Sequence, residues 1–144
     1  MSRSIETAVT IAASAERVWE ILEDFPSYPE WNPFLVSIEG EAAVGGRLRI
    51  RFEGADGRRF TFKPRVLVVE EGRRLEWRGV TGVRGVFDGH HRFRITPIDS
   101  GHSRLEQAET FTGLMVPVVW RFIGAETRAG FEAMNAALAG RAES

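Results

Sequence analysis

The chain has 144 residues, 43% hydrophobic and 27% charged, with 19 basic side chains against 20 acidic ones and no cysteine. A domain of this length buries roughly 68–70% of its unfolded surface, which excludes disorder as the dominant state. The near-neutral balance excludes a general nucleic-acid binder, and the missing cysteines exclude disulfides, thiolate nucleophiles and cysteine-held zinc.

No apolar run reaches the ~20 residues of a bilayer span, and no signal-peptide pattern opens the sequence. A single cytoplasmic domain over residues 1–144, without stable membrane insertion, is expected. The first element is a strand, because Ile5, Thr7, Val9 and Ile11 fall on one side of an alternating run. Ser14 then offers an N-cap oxygen to a helix in which Val18, Ile21, Leu22 and Phe25 recur at helical spacing, and Pro26 ends it. Residues 27–31 predict one more short helical turn.

Residues 35–112 read as strands and turns. Arg47-Leu48-Arg49-Ile50-Arg51-Phe52 puts Leu48, Ile50 and Phe52 on one face and the arginines on the other. Gly54-Ala55-Asp56-Gly57 carries the Asp-Gly pair of a hairpin turn. Residues 60–69 predict one strand, with a turn at Glu71-Gly72, and Leu75-Glu76-Trp77 alternates again. Gly79, Gly82 and Gly85 interrupt a loop, and strands over 87–98 and 103–112 flank the turn Asp99-Ser100-Gly101.

The last third predicts a long helix with one buried stripe: Val116, Trp120, Ile123, Thr127, Gly130, Phe131, Met134 and Leu138. Arg121, Arg128, Glu132 and Asn135 fall on the opposite side. Pro117 suits the first turn, and Gly130 implies a close approach to the sheet. The resulting fold class is α+β: a curved antiparallel sheet of about seven strands wrapped around the C-terminal helix, with two short helices after strand 1.

This order, with the segments Ser14-Ala15-Glu16-Arg17-Val18-Trp19 and Phe25-Pro26-Ser27-Tyr28-Pro29-Glu30-Trp31-Asn32-Pro33-Phe34, resembles the START-like or SRPBCC helix-grip superfamily. Gly89-His90-His91-Arg92-Phe93 and Gln107-Ala108-Glu109-Thr110-Phe111-Thr112-Gly113 are similar to strand motifs of its bacterial polyketide cyclase/dehydrase-like branch. The resemblance covers essentially the whole chain and implies a largely apolar cavity between sheet and long helix. Trp77, Phe93, Phe111, Trp120, Ile123 and Met134 are its lining candidates, although residues of these types at these spacings serve equally as plain core.

One polar constellation stands out. With Ser100 at the turn centre, Ile95 faces Leu105, Phe93 faces Gln107 and His91 faces Glu109 on the inward side, while Arg94 meets Glu106 as an outward ion pair. His91, Gln107 and Glu109 therefore project among apolar residues, where an unpartnered polar group costs roughly 1–3 kcal/mol. Either they orient a ligand's carbonyl or hydroxyl, or they move a proton in an aldol-type cyclisation, or they only fix the hairpin register. His90 points to the other face and His102 sits in the turn, so no metal site converges, and no cofactor is expected.

Trp31 and Asn32 are candidates for the cavity mouth, or a cap on the core. The loop over 79–85 and Leu114-Met115-Val116 are candidates for an opposing gate. No nucleophile elbow, phosphate loop or zincin helix occurs. Binding of a small hydrophobic molecule, such as a lipid, polyketide or other aromatic or isoprenoid-like compound, is the leading expectation, by a monomer or homodimer. The alternative is a polyketide cyclase, aromatase or dehydratase using His91 and Glu109 as acid and base, with Tyr28 as a further proton donor. A module that stimulates a chaperone ATPase is the third.

Overall fold

The structure is a computed structural model and describes residues 2–54, 57–81 and 83–144. Strand β1 (Ser2–Ile11) leads through Ser14 into helix α1 (Ala15–Glu23). The Ser14 hydroxyl accepts from the Arg17 N–H at 3.1 Å, the cap expected of a serine there. Helix α1 stops at Pro26, which cannot supply the N–H that the Leu22 carbonyl needs four residues on. A 3-10 turn (Phe25–Ser27) and the short helix α2 (Tyr28–Trp31) follow, and the Tyr28 hydroxyl donates to that orphaned Leu22 carbonyl at 2.6 Å.

Among the described residues, eight strands form two antiparallel sheets. The smaller contains β2 (Leu35–Glu39), β3 (Arg49–Glu53) and β4 (Arg59–Phe62) in chain order. The larger contains β5 (Arg65–Glu70), β6 (Arg74–Val80), β7 (Asp88–Asp99) and β8 (His102–Thr112), with β1 closing the order β1-β8-β7-β6-β5. The bridge from Arg47 to Arg65 lies between the two sheets. One strand more is present than the sequence implies, because the run expected over 60–69 breaks between β4 and β5. Pro64 lies at that break and has no N–H for a ladder; its carbonyl accepts from Leu48 N–H at 2.9 Å. Of the expected Asp-Gly turn, residues 55 and 56 lie outside the described residues, as does Gly82 of the glycine loop; Gly57 has φ +81°.

The β7–β8 register is the one that the turn arithmetic gives: Ile95 opposite Leu105, Phe93 opposite Gln107, His91 opposite Glu109 and Arg94 opposite Glu106. A bulge between Pro97 and Asp99 absorbs the turn. The expected Arg94–Glu106 ion pair is corrected at the side-chain level. The Glu106 carboxylate pairs with Arg104 Nε at 3.3 Å, two residues along its own face of β8.

Helix α3 (Val116–Glu143) carries Pro117 in its first turn and runs about 42 Å. Its stripe is deeply buried only at the start and in the second half: Val116, Phe131, Met134 and Leu138 are inaccessible, whereas Trp120, Ile123, Thr127 and Gly130 are half-buried. Asn135 belongs to the buried face, not the solvent side, because four residues after Phe131 a helix returns to nearly the same direction. The close approach at Gly130 is to the ring of Phe34, ahead of β2, and not to a strand of the sheet.

Candidate functional site

The inner face of the large sheet carries a continuous polar chain through its hydrophobic surround. Thr7 on β1 and Gln107 on β8 are direct partners, and the Thr7 hydroxyl donates to the Gln107 carbonyl at 2.7 Å. The Asn135 amide on α3 donates to Thr7 Oγ1 at 2.9 Å. The Gln107 side-chain amide donates to Asn135 Oδ1 at 2.7 Å, and its Oε1 lies 3.0 Å from His91 Nε2. His91 Nδ1 lies 3.4 Å from Glu109 Oε1.

The chain is most deeply buried in its middle, and Thr7 at its β1 end is half-buried. Gln107 is wholly buried, the His91 side chain is 3% exposed and the Glu109 side chain is 11% exposed. Within the apolar surround the chain ends at Glu109, whose carboxylate rests over Gly89 of β7, where any side chain would collide with Oε2. Gly79, paired with Gly89 on β6, leaves similar room and is covered by the ring of Phe62.

Aromatic rings enclose His91. Trp77 stacks on it with centroids 5.0 Å apart, and Phe93 and Phe131 lie at 4.7 and 5.0 Å. Trp77 is fully buried and its Nε1 has no hydrogen-bond partner among the described residues. Beyond Glu109, Phe111 stacks with Phe87 at 5.5 Å and meets Trp120 of α3 at 5.8 Å. Ile123 follows on the same half-buried stretch of α3, whereas Met134 is packed in the dry half. The gate candidates are physically tied, since Leu114 and Met115 N–H groups donate to Gly85 and Val86 carbonyls at 3.0 and 2.9 Å.

Trp31 and Asn32 are not brought to this place. Trp31 packs on Tyr28 and borders a surface depression with Arg141, and positions 120 and 141 are about 30 Å apart along α3. Asn32 Oδ1 accepts from the Phe34 and Leu35 N–H groups, both at 2.9 Å, an Asx turn leading into β2. Burial pushes the Tyr28 hydroxyl well above the usual phenol range, and Asp24 adds to the rise. With its proton given to Leu22, that hydroxyl is a structural donor. His90 lies on the outer face, 2.8 Å from Glu76, and His102 pairs with Asp99 in the turn.

A model of the family described as polyketide cyclase / dehydrase and lipid transport matches residues 2–143. The chain belongs to that family. Among solved structures, it is similar to the Zhui aromatase/cyclase from Streptomyces sp. R1128, with 23% identity, a TM-score of 0.82 and coverage of 99% of this chain and 94% of that one. A START superfamily protein from Mycobacterium smegmatis is 27% identical at TM-score 0.74, with 97% of each chain covered. Norcoclaurine synthase from Thalictrum flavum, in complex with dopamine and hydroxybenzaldehyde, is 15% identical at TM-score 0.73, covering 98% of this chain and 86% of that one. No curated protein matches in sequence. The antiparallel sheets with the long α3 are thus the START-like helix-grip fold, and no helix among the described residues is long and apolar enough to cross a membrane.

Within this cyclase/dehydrase-family fold, His91, Gln107 and Glu109 lie on the inward face as expected from the sequence, whereas Thr7, Gly89, Phe131 and Asn135, which join or border the same polar chain, were not among the candidates. Asn135 had a signal available, its four-residue step from Phe131. Gly89 had another, being a side-chain-free position diagonal to an inward carboxylate.

Proposed function

We propose that this chain binds a small hydrophobic molecule bearing a carbonyl oxygen, between the Gly89 side of the large sheet and the first half of α3. The observation that carries the reading is the Glu109 carboxyl at the β8 end of the polar chain, lying over Gly89 among Phe111, Phe87 and Trp120, where in its protonated form it would donate to that carbonyl. A binding site of this kind needs apolar walls and a small number of placed polar groups. Trp77 Nε1, a buried donor without a partner, adds a second polar group to the same neighbourhood. The complex of norcoclaurine synthase with an aromatic aldehyde and an aromatic amine supports ligands of this size and type on the fold. Trp31 and Asn32 are not part of this site.

The test uses a propionyl-dimethylaminonaphthalene fluorophore, whose emission reports hydrogen bonding to its ketone. Saturable binding with a red-shifted component, lost in Glu109→Leu while the melting temperature holds, is the expected result. No saturable binding, or equal binding by the variant, overturns the site.

The cyclase reading is favoured by one further feature, the contact of a carboxylate with an imidazole at 3.4 Å in an apolar surround. Glu109 would take a proton from a methylene between two carbonyls, the resulting carbanion would add to a distant carbonyl of the same molecule, and the new alkoxide would recover that proton. Turnover of a poly-β-keto thioester that vanishes in both His91→Phe and Glu109→Gln is its test.

A further inference from the structure

We infer that Thr7 and Asn135 are positioning residues that fix which nitrogen of His91 carries hydrogen, and thereby route proton exchange through Nδ1 and Glu109. The direction of every bond in the chain follows from one end. A backbone carbonyl only accepts, so at 2.7 Å from the Gln107 carbonyl the Thr7 hydroxyl must spend its single hydrogen there. Thr7 Oγ1 can then only accept from Asn135, which presents Nδ2 to it and turns Oδ1 to Gln107. Gln107 must answer with its NH2 group, and a second backbone carbonyl, that of Phe131 at 3.5 Å from Nε2, holds the amide the same way round. What remains toward His91 is Gln107 Oε1, an acceptor, so Nε2 of the ring is the donor.

The consequence falls on the other nitrogen. A neutral ring with hydrogen on Nε2 turns a bare lone pair toward Glu109 Oε1, acceptor against acceptor at 3.4 Å. That contact is attractive only with a proton between the two, on the ring or on the carboxyl. Without the Thr7–Asn135 anchor, only the long 3.5 Å contact with the Phe131 carbonyl opposes a turned-over Gln107 amide; turned over, Gln107 donates to Nε2, and a neutral ring with hydrogen on Nδ1 satisfies Glu109. Anchored, the hydrogen that makes this contact attractive is shared between Nδ1 and Glu109 and would pass through the carboxyl to a carbonyl oxygen lying against it; unanchored, the ring satisfies Glu109 as a plain acceptor with no hydrogen to give. The functional half of this inference rests on the ligand site proposed above; the hydrogen-bond direction does not.

The experiment is long-range proton–nitrogen NMR on ligand-free protein with labelled histidine, for wild type, Thr7→Val and the conservative Thr7→Ser. His91 in wild type and Thr7→Ser is expected to show a protonated Nε2, and Thr7→Val to shift hydrogen toward Nδ1 with a bare Nε2. The naphthyl ketone fluorophore should bind Thr7→Val roughly tenfold more weakly than Thr7→Ser. A bare Nε2 in wild type, or identical spectra for Thr7→Val and wild type, overturns the inference. The expected nitrogen shifts with unchanged fluorophore binding would retain the direction of the chain and reject its role at the ligand site.

Discussion

Gly89 on β7 lies beneath the carboxylate of Glu109 on β8, so closely that one added methyl group would collide with Oε2. The backbone at Gly89 lies outside the left-handed region, so alanine is allowed by conformation and excluded only by the carboxylate. Gly89→Ala should therefore displace Glu109 and leave the sheet intact. Overpacking of this size costs about 1 kcal/mol where a side chain near solvent can yield. The expected outcome is a melting temperature within a few degrees of wild type and fluorophore affinity reduced about tenfold. Unaltered affinity would put the ligand's polar end somewhere other than Glu109.

Tyr28 gives a contrasting prediction, a polar residue whose loss harms folding only. Its hydroxyl replaces the N–H that Pro26 cannot offer to the Leu22 carbonyl. Tyr28→Phe leaves that buried carbonyl without a donor, a loss of about 1–3 kcal/mol. Urea denaturation should show the lower midpoint, with ligand affinity unchanged. A variant as stable as wild type would mean that water reaches the Leu22 carbonyl.

The outer face of the sheet supplies a pH dependence. Burial works against ionisation of Glu76, but hydrogen bonds from Arg74 and His90 outweigh it and hold the carboxyl below its ordinary value of 4.5. A group that ionises more readily folded than unfolded contributes stability above its unfolded value, and that contribution is lost as pH falls through the folded one. Wild type should thus lose stability as acid is added below about 4.5. Glu76→Gln should be less stable at neutral pH by at most about 1 kcal/mol and flatter through the acid range. Melting curves at stepped pH for both proteins check this, and parallel acid limbs would remove Glu76 from the account.

Much of this arrangement was legible in the sequence, and what was not has physical causes. Strand pairing has a strict two-residue period, so one identified turn fixed every partner from Ile95 to His91 and sent His91, Gln107 and Glu109 to one face. Helical facing is softer, because an amide suits a solvent face by type even where its four-residue step from Phe131 turns it inward; Asn135 went to the wrong side for that reason. Which arginine Glu106 prefers, or which end of α3 receives Trp31, depends on side-chain reach and on how a connection runs. Neither is periodic. The break at Pro64 was in principle readable, since proline cannot donate to a ladder, but the apolar run on both sides outweighed it.

Gly130 and Phe34 provide the last prediction, which separates two opposing effects. Gly130→Ala gains about 1 kcal/mol of helix propensity. It also drives a methyl group into the Phe34 ring, which is held between Phe52 and Phe131 at 5.9 and 5.7 Å and has little room to retreat. Overpacking costs about 1–3 kcal/mol, so packing should win and the variant should be less stable by up to about 2 kcal/mol. Phe34→Leu alone should also destabilise by opening a gap. Combined, the smaller side chain receives the new methyl, and the double variant should be more stable than the sum of the single losses. Thermal unfolding of all four proteins completes the cycle. Strict additivity would show that Phe34 is free to move, and that its ring does not limit how closely α3 packs at Gly130.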